Sequence, residues 1–324
     1  MRGDIEDQHF RYAGAPAWHG LGTKVPDSST VEAAMQGTVI GSEILRVPLA
    51  MPGPDGCDLQ AVTLPSGADM VAIVRSGDWR TLAVRTDGFQ VAQPMDAARL
   101  LDAVGGEVGA RFSVIGSIKA GCVFWAQAEI DSFDVTGNGD LVRTYLTFTD
   151  GYDGKHTASF GLTTVRAVCE NTITHAIEQG RGSVAWHAIR HRGDVTNKLA
   201  AAAAAVDAAL KGKAGLRDFA RKLARTPFDT TAMDSLAKQI LGAADSAEAE
   251  LPAQTRAKVE TLIHLFADGT GNHGRTAWDA LNAVSEWSTW AQPVRGRERF
   301  EIALLGDPVV QQAEQLLRVY VQAA

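Results

Sequence analysis

The chain has 324 residues, of which 45% are hydrophobic and 21% charged, with a formal net charge of −7. This is ordinary globular usage, so a real core is expected, in one large domain or two ordinary ones. Several classes are excluded. No apolar run approaches the roughly 20 residues that span a bilayer, Asp4, Glu6 and Asp7 stand where a signal peptide would be basic and then apolar, and Cys57, Cys122 and Cys169 are too few and too scattered for a disulfide framework or a zinc cluster.

The first 50 residues read as an arm and a small element. Trp18-His19-Gly20-Leu21-Gly22-Thr23 is punctuated by glycine and cannot lie inside a helix. Its glycines do not make a phosphate loop, because no Lys-Ser/Thr follows at the required spacing. Trp18 is a candidate for base stacking and His19 for hydrogen bonding to a nucleotide; the competing reading is an arm anchored by a buried Trp18. Thr30 then offers an N-cap to a short helix over 31–35, with Glu32 in its first turn.

Residues 51–68 are rich in Gly, Pro and Asp and predict a loop or hairpin turn. Two short apolar strands follow at 70–75 and 81–85. Pro94 opens a helix whose apolar positions Met95, Ala98, Leu101 and Val104 recur at helical spacing. Strands are expected over 111–118, 121–130 and 141–149, then a turn at 150–154 and a fourth strand at 156–161. Residues 164–179 read as a helix, with Val165, Val168, Thr172, Ile173 and Ile177 near one face and Gly180 as its stop. From Asp194 onward the pattern is helical, with elements at 216–224, 230–242, 252–266, 275–290 and 307–324.

Strands followed by segregated helices indicate an α+β fold: an antiparallel sheet with a β-β-β-α core unit and a helical C-terminal region. The expected organisation is an arm at 1–50, a mixed sheet with a packed helix at 51–193 and a helical region at 194–324.

Charge is unevenly placed. Between residues 181 and 225 ten lysines and arginines face three aspartates, a local balance of +7 in an acidic protein. Arg190, His191 and Arg192 are the densest cationic spot outside the helices, with Trp186 and His187 just before them and Lys198 just after. Arginine forks suit phosphate oxygens, and cations interleaved with aromatics suit a single strand. The competing readings are a strand edge protected by charge and a solvated helical face. Arg166 and Glu170 stand at i,i+4 on the expected helix, where Arg166 could meet a phosphate and Asn171 position a nucleotide.

Catalytic signals are sparse. No Ser-His-Asp or Cys-His arrangement stands out. Asp150, Asp153 and Glu170 would hold magnesium if the turn folded towards the helix, although Asp-Gly turns mostly occur for geometric reasons. His264, Asp268 and His273 straddle a glycine-rich loop that leaves their geometry open. No cofactor and no resident metal are expected.

Five blocks carry a resemblance to a known family. They are Trp18-His19-Gly20-Leu21-Gly22-Thr23; Thr86-Asp87-Gly88-Phe89-Gln90-Val91; Val-Arg-Ala-Val-Cys-Glu-Asn-Thr at 165–172; Arg190-His191-Arg192-Gly193-Asp194-Val195; and Thr276-Ala277-Trp278 with Asn282-Ala283-Val284-Ser285-Glu286-Trp287. In this order they resemble the phage/plasmid-like proteins (domain of unknown function 932), a family without an agreed activity that is carried by phages, prophages and plasmids. In the order of its elements alone the chain also resembles phage single-strand annealing proteins of the Redβ type, and fold does not fix function.

The function expected from these readings is non-enzymatic: a cytoplasmic, homo-oligomeric protein that binds and anneals single-stranded DNA in recombination or replication of a mobile element. Its contacts would come from Arg166, Asn171, Arg190, His191, Arg192 and Lys198, with Trp18 and His19. The alternatives are a metal-dependent nuclease built on Asp150, Asp153 and Glu170, or a protein-binding module such as an inhibitor of host defence.

Overall fold

The computed structural model describes residues 10–14, 22–154, 156–166, 171–173, 186–195, 197–198, 201, 213–244, 250–291 and 307–323. Packing divides the chain into two compact units that are discontinuous in sequence. Unit 1 comprises Met1–Ile130, Tyr145–Leu162 and Glu178–Leu210; unit 2 comprises Asp131–Thr144, Thr163–Ile177 and Lys211–Ala324. The mixture of sheet and segregated helices is α+β, as the order of elements predicts.

Unit 1 begins with two short strands, β1 (Arg11–Tyr12) and β2 (Thr23–Lys24), which pair in parallel. Helix α1 (Val31–Met35) starts where expected, with the Ala33 amide donating to the Thr30 hydroxyl. It is too short to persist on propensity alone. Helix α2 (Pro94–Glu107) completes its cap: the Val31 and Glu32 amides donate to the two carboxylate oxygens of Asp102 at 2.7 and 2.8 Å. Between these helices run β3 (Ile44–Pro48), a hairpin of β4 (Ala50–Pro52) with β5 (Leu59–Ala61), and the pair β6 (Met70–Arg75) and β7 (Arg80–Thr86). Strand β6 is the middle of the three-stranded sheet β3-β6-β7, which is why it reads as an unbroken apolar run rather than an alternating one.

The larger sheet contains β8 (Arg111–Ile118), β9 (Val123–Asp134), β10 (Leu141–Gly151), β11 (Ala158–Arg166), β12 (Asn171–Ile173) and β13 (Trp186–Ile189). Its order is β12-β11-β10-β9-β8-β1-β2, and β13 also pairs with β11. The core of unit 1 includes Phe112, Ile115, Phe124, Leu146, Phe148, Tyr152, Phe160 and Leu162.

Residues 164–166 and 171–173 depart from the helix expected over 164–179. Thr164–Arg166 complete β11 and pair antiparallel with β12, in the register Thr164↔Ile173, Val165↔Thr172 and Arg166↔Asn171. These residues are strand rather than helix; 167–170 and 174–179 lie outside the described residues. The physical reason is visible in the segment Leu162-Thr163-Thr164-Val165, whose β-branched residues favour a strand. Leu162, Thr163 and Thr164 are all buried as β11 runs on from Ala158. The turn expected at 150 begins later, because Asp150 and Gly151 end β10.

Unit 2 is led by helices: α3 (Lys213–Arg225), α4 (Thr230–Ile240), α5 (Ala253–Asp268), α6 (Ala277–Glu286) running into a π-helical turn at Trp287–Ala291, and α7 (Pro308–Ala323). All start within three residues of their expected positions. Helix α6 is buried from Ala277 through Ser285, the pattern of a helix surrounded by core. Thr276 and Asp279 form a reciprocal capping box at its start. The Trp278 indole donates to Asp140 at 2.8 Å, and the Asn282 side chain donates to the Trp278 carbonyl at 2.8 Å. Asn282 is thus a buried polar group tied to its own helix. Among the described residues no helix is long and apolar enough to cross a membrane.

Candidate nucleic-acid interface

Strand β13 ends at Ile189, and the next three residues alternate in exposure: Arg190 is exposed, His191 is 7% exposed and Arg192 is exposed. The Arg192 amide donates back to the Arg190 carbonyl at 2.7 Å, a tight local turn. The inward-facing imidazole is what fixes the segment. His191 Nε2 lies 2.9 Å from Asp150 Oδ1, and His191 Nδ1 lies 2.9 Å from the Gln90 carbonyl. The Gln90 amide donates to the His191 carbonyl at 2.9 Å. The ring stacks on Phe89 with centroids 4.5 Å apart.

Asp150, at the end of β10, is fully buried and also accepts from the Gly151 amide at 2.6 Å. Its Oδ2 has no hydrogen-bond partner among the described residues. Burial pushes the Asp150 carboxyl pKa up, opposed by the His191 hydrogen bond and charge. Burial alone would lower the His191 pKa, but the Asp150 hydrogen bond and charge, with the Gln90 carbonyl, leave it raised above its ordinary value. The buried pair, in contact at 2.9 Å, anchors the segment from inside.

Other cations belong to the same unit. Arg85 donates to the Tyr152 carbonyl at 3.0 Å and packs over Gly154, where a Cβ would sit only 2.7 Å from the guanidinium carbon. Arg46 is exposed and donates to the Asp87 carbonyl. Lys198 is exposed and donates to the Arg192 carbonyl. It follows Asp194, which caps the start of the next helix by accepting from the Asn197 amide at 2.9 Å. The result is a fixed main chain from which Arg190 and Arg192 project on either side of one buried histidine. Two guanidinium forks so displayed can take phosphate oxygens without first ordering a loop.

The expected site residues are not all brought to one place. Arg190, His191, Arg192 and Lys198 belong to unit 1, with His191 as the anchor rather than an exposed contact. Arg166 and Asn171 belong to unit 2, as register partners across the β11–β12 hairpin, so the helical i,i+4 argument for Arg166 and Glu170 no longer applies. Trp18, His19 and Glu170 lie outside the described residues. Sequence reasoning missed the partners Asp150, Phe89 and Gln90, whose signal was only that a histidine stood between two arginines after a strand.

Two of the three carboxylates considered for magnesium, Asp150 and Asp153, are engaged by histidines. Both His191 nitrogens face internal partners, and Asp153 is engaged by His156 Nδ1 at 2.9 Å. Burial pushes the Cys122 thiol up to about 11, far from a nucleophilic thiolate. His264 and Asp268 form an exposed i,i+4 pair at 3.4 Å. Among the described residues no group of three or more His, Cys, Asp or Glu could hold a metal ion.

A family model described as Domain of unknown function (DUF932) matches residues 81–305. No curated protein and no solved structure matches the chain.

Proposed function

The chain therefore belongs to the DUF932 family, whose description states no activity, and on that premise we propose that it binds single-stranded DNA and promotes annealing without covalent chemistry. It does so inside the cell as a homo-oligomer, in recombination or replication of a phage, prophage or plasmid. One observation carries this reading: Arg190 and Arg192 project from a main chain that the buried His191–Asp150 pair holds in place. Neither the family's description nor the overall acidity argues for any particular ligand; the local cations do. Phosphate contacts of this kind give affinity without sequence preference, and they release counterions.

The test is oligonucleotide binding across a salt series. Wild-type protein should bind single strands with a clear salt dependence, speed the pairing of complementary strands, and leave both strands intact in magnesium. The double variant Arg190→Ala, Arg192→Ala should bind more weakly to all sequences. Each lost phosphate contact flattens the log–log salt slope by about 0.7, so the two together should flatten it by up to about 1.4. Its stability should hardly change, because exposed arginines contribute little. A folded double variant with unaltered affinity and slope would overturn the proposal.

A further inference from the structure

Among the described residues three that are not glycine have a left-handed backbone: Trp79 (φ 55°), Lys119 (φ 53°) and Ala120 (φ 57°). Such conformations are uncommon for any residue with a Cβ, and they concentrate where function over-determines the chain. All three fall in two turns of unit 1, one joining β6 to β7 and the other joining β8 to β9. The same side chain fixes both turns. Arg75, 2% exposed at the end of β6, grips Asp78 through two hydrogen bonds at 2.9 and 2.6 Å. The Asp78 carboxylate in turn accepts from the Arg80 amide at 3.3 Å. On its other side the Arg75 guanidinium occupies the space where a Cβ on Gly121 would sit, at 1.9 Å.

This framework displays an indole to solvent. Trp79 is 71% exposed, although tryptophan is among the residues with most to gain from burial. Arg80 beside it is exposed, and Lys119 stands in the abutting turn. A large aromatic ring is held in an unfavourable backbone conformation, out of the core, in a turn clamped by the pair of buried Arg75 with exposed Asp78. That arrangement costs backbone strain and forgoes the burial of a large ring, whereas glycine would satisfy the turn.

We propose that Trp79 is a stacking platform for a nucleobase, with Arg80 taking the adjoining phosphate. The inference rests on the single-strand reading above and adds a residue to it. The chemistry favours a base because a rigid exposed indole flanked by a cation matches a π-face next to a phosphate. Strand β7 connects the two sites. Its seven residues, at about 3.3 Å each, run roughly 20 Å from the Trp79 turn to Thr86, three residues before Phe89, on which His191 stacks. A strand of a few nucleotides could bridge that span.

The experiment uses full-length protein and oligo-dT, with fluorescence anisotropy and thermal unfolding read on the same variants. Trp79→Ala and Trp79→Gly should weaken binding by roughly tenfold, the scale of one lost stacking contact. Trp79→Phe should stay within about threefold of wild type, because it keeps a stacking face. The salt slope should be unchanged in all three, since a neutral ring releases no counterions. Trp79→Gly should unfold at or above the wild-type temperature, because it relieves the left-handed strain. A fall in unfolding temperature would make Trp79 a packing residue and overturn the proposal. Unchanged affinity in Trp79→Ala, with wild-type protein binding normally, would also overturn it and leave the Arg190 and Arg192 reading standing. Failure of wild-type protein to bind at all would remove both.

Discussion

At the scale of residues, the buried Asp150–His191 pair makes a pH-dependent contribution to stability whose sign can be worked out. Both groups have raised pKa values: Asp150 by burial, and His191 because the Asp150 bond and charge outweigh its burial, with Arg85 opposing. The folded chain then binds more protons than the unfolded one, so stability falls as pH rises. For His191 the contribution is fully present below about pH 6.5 and is lost as pH rises through its higher folded value. Asp150→Asn removes the two largest influences that raise the imidazole pKa, leaving burial and Arg85, which lower it, against the weaker pull of the Gln90 carbonyl. The sign then reverses: stability rises with pH through the window below about 6.5. At pH 5 the variant must hold the imidazole neutral while the unfolded chain protonates it, a cost of up to about 2 kcal/mol, and the deficit should shrink towards pH 8. Denaturant unfolding of both proteins from pH 5 to 8 checks this. His156 lies near Asp150 in both and so largely cancels from the comparison. Parallel stability profiles would show that the pair does not govern the titration.

Among the elements, the short helix α1 shows what a sequence reveals and what it conceals. Thr30 as N-cap is legible because a hydroxyl three residues before the Ala33 amide is a local signal. Asp102 is not, because its role depends on α2 lying beside α1. Asp102→Ala should cost about 2 kcal/mol, the scale of hydrogen bonds to a charged acceptor. It should appear as a lower urea midpoint at constant m-value; an unchanged midpoint would mean that Thr30 alone sustains α1. The same division explains the rest of the reading. Strands β6, β8 and β10 and the helices of unit 2 were legible from apolar runs, turn residues and prolines, all of them local. Residues 164–166 and 171–173 read as helix because Val165, Val168, Thr172 and Ile173 approximate a helical spacing in the sequence, while pairing between Thr164–Arg166 and Asn171–Ile173 makes these segments strands. The anchor of the candidate site was concealed for the reason that concealed Asp102: Asp150, Gln90 and His191 are brought together only by the sheet and its connections.

Over the whole molecule, the basic stretch from 181 to 225 is one feature in sequence and two in space. Its Arg190, Arg192 and Lys198 belong to unit 1, and helix α3 belongs to unit 2. The cations of α3 already have structural work. Arg217 pairs with Asp131 at 2.6 Å and lies over the Phe133 ring at 5.3 Å. Lys222 and Arg225 occupy the last turn, where positive charge offsets the helix dipole by about 0.3–1 kcal/mol each. The +7 balance therefore overstates what is displayed to a ligand. If unit 1 carries the phosphate contacts, Lys222→Ala with Arg225→Ala should leave the oligonucleotide salt slope within about 0.3 of wild type, well under the 0.7 of one contact. The same variant should lose about 1 kcal/mol of stability through its helix end. Equal numbers of charges are removed here and in the Arg190→Ala, Arg192→Ala variant, so net charge cannot account for a difference between them. A slope reduced by about 1.4 in the α3 variant would place phosphate contacts on unit 2 as well. A reduced slope in neither variant would remove both halves of the basic stretch from the list of phosphate contacts.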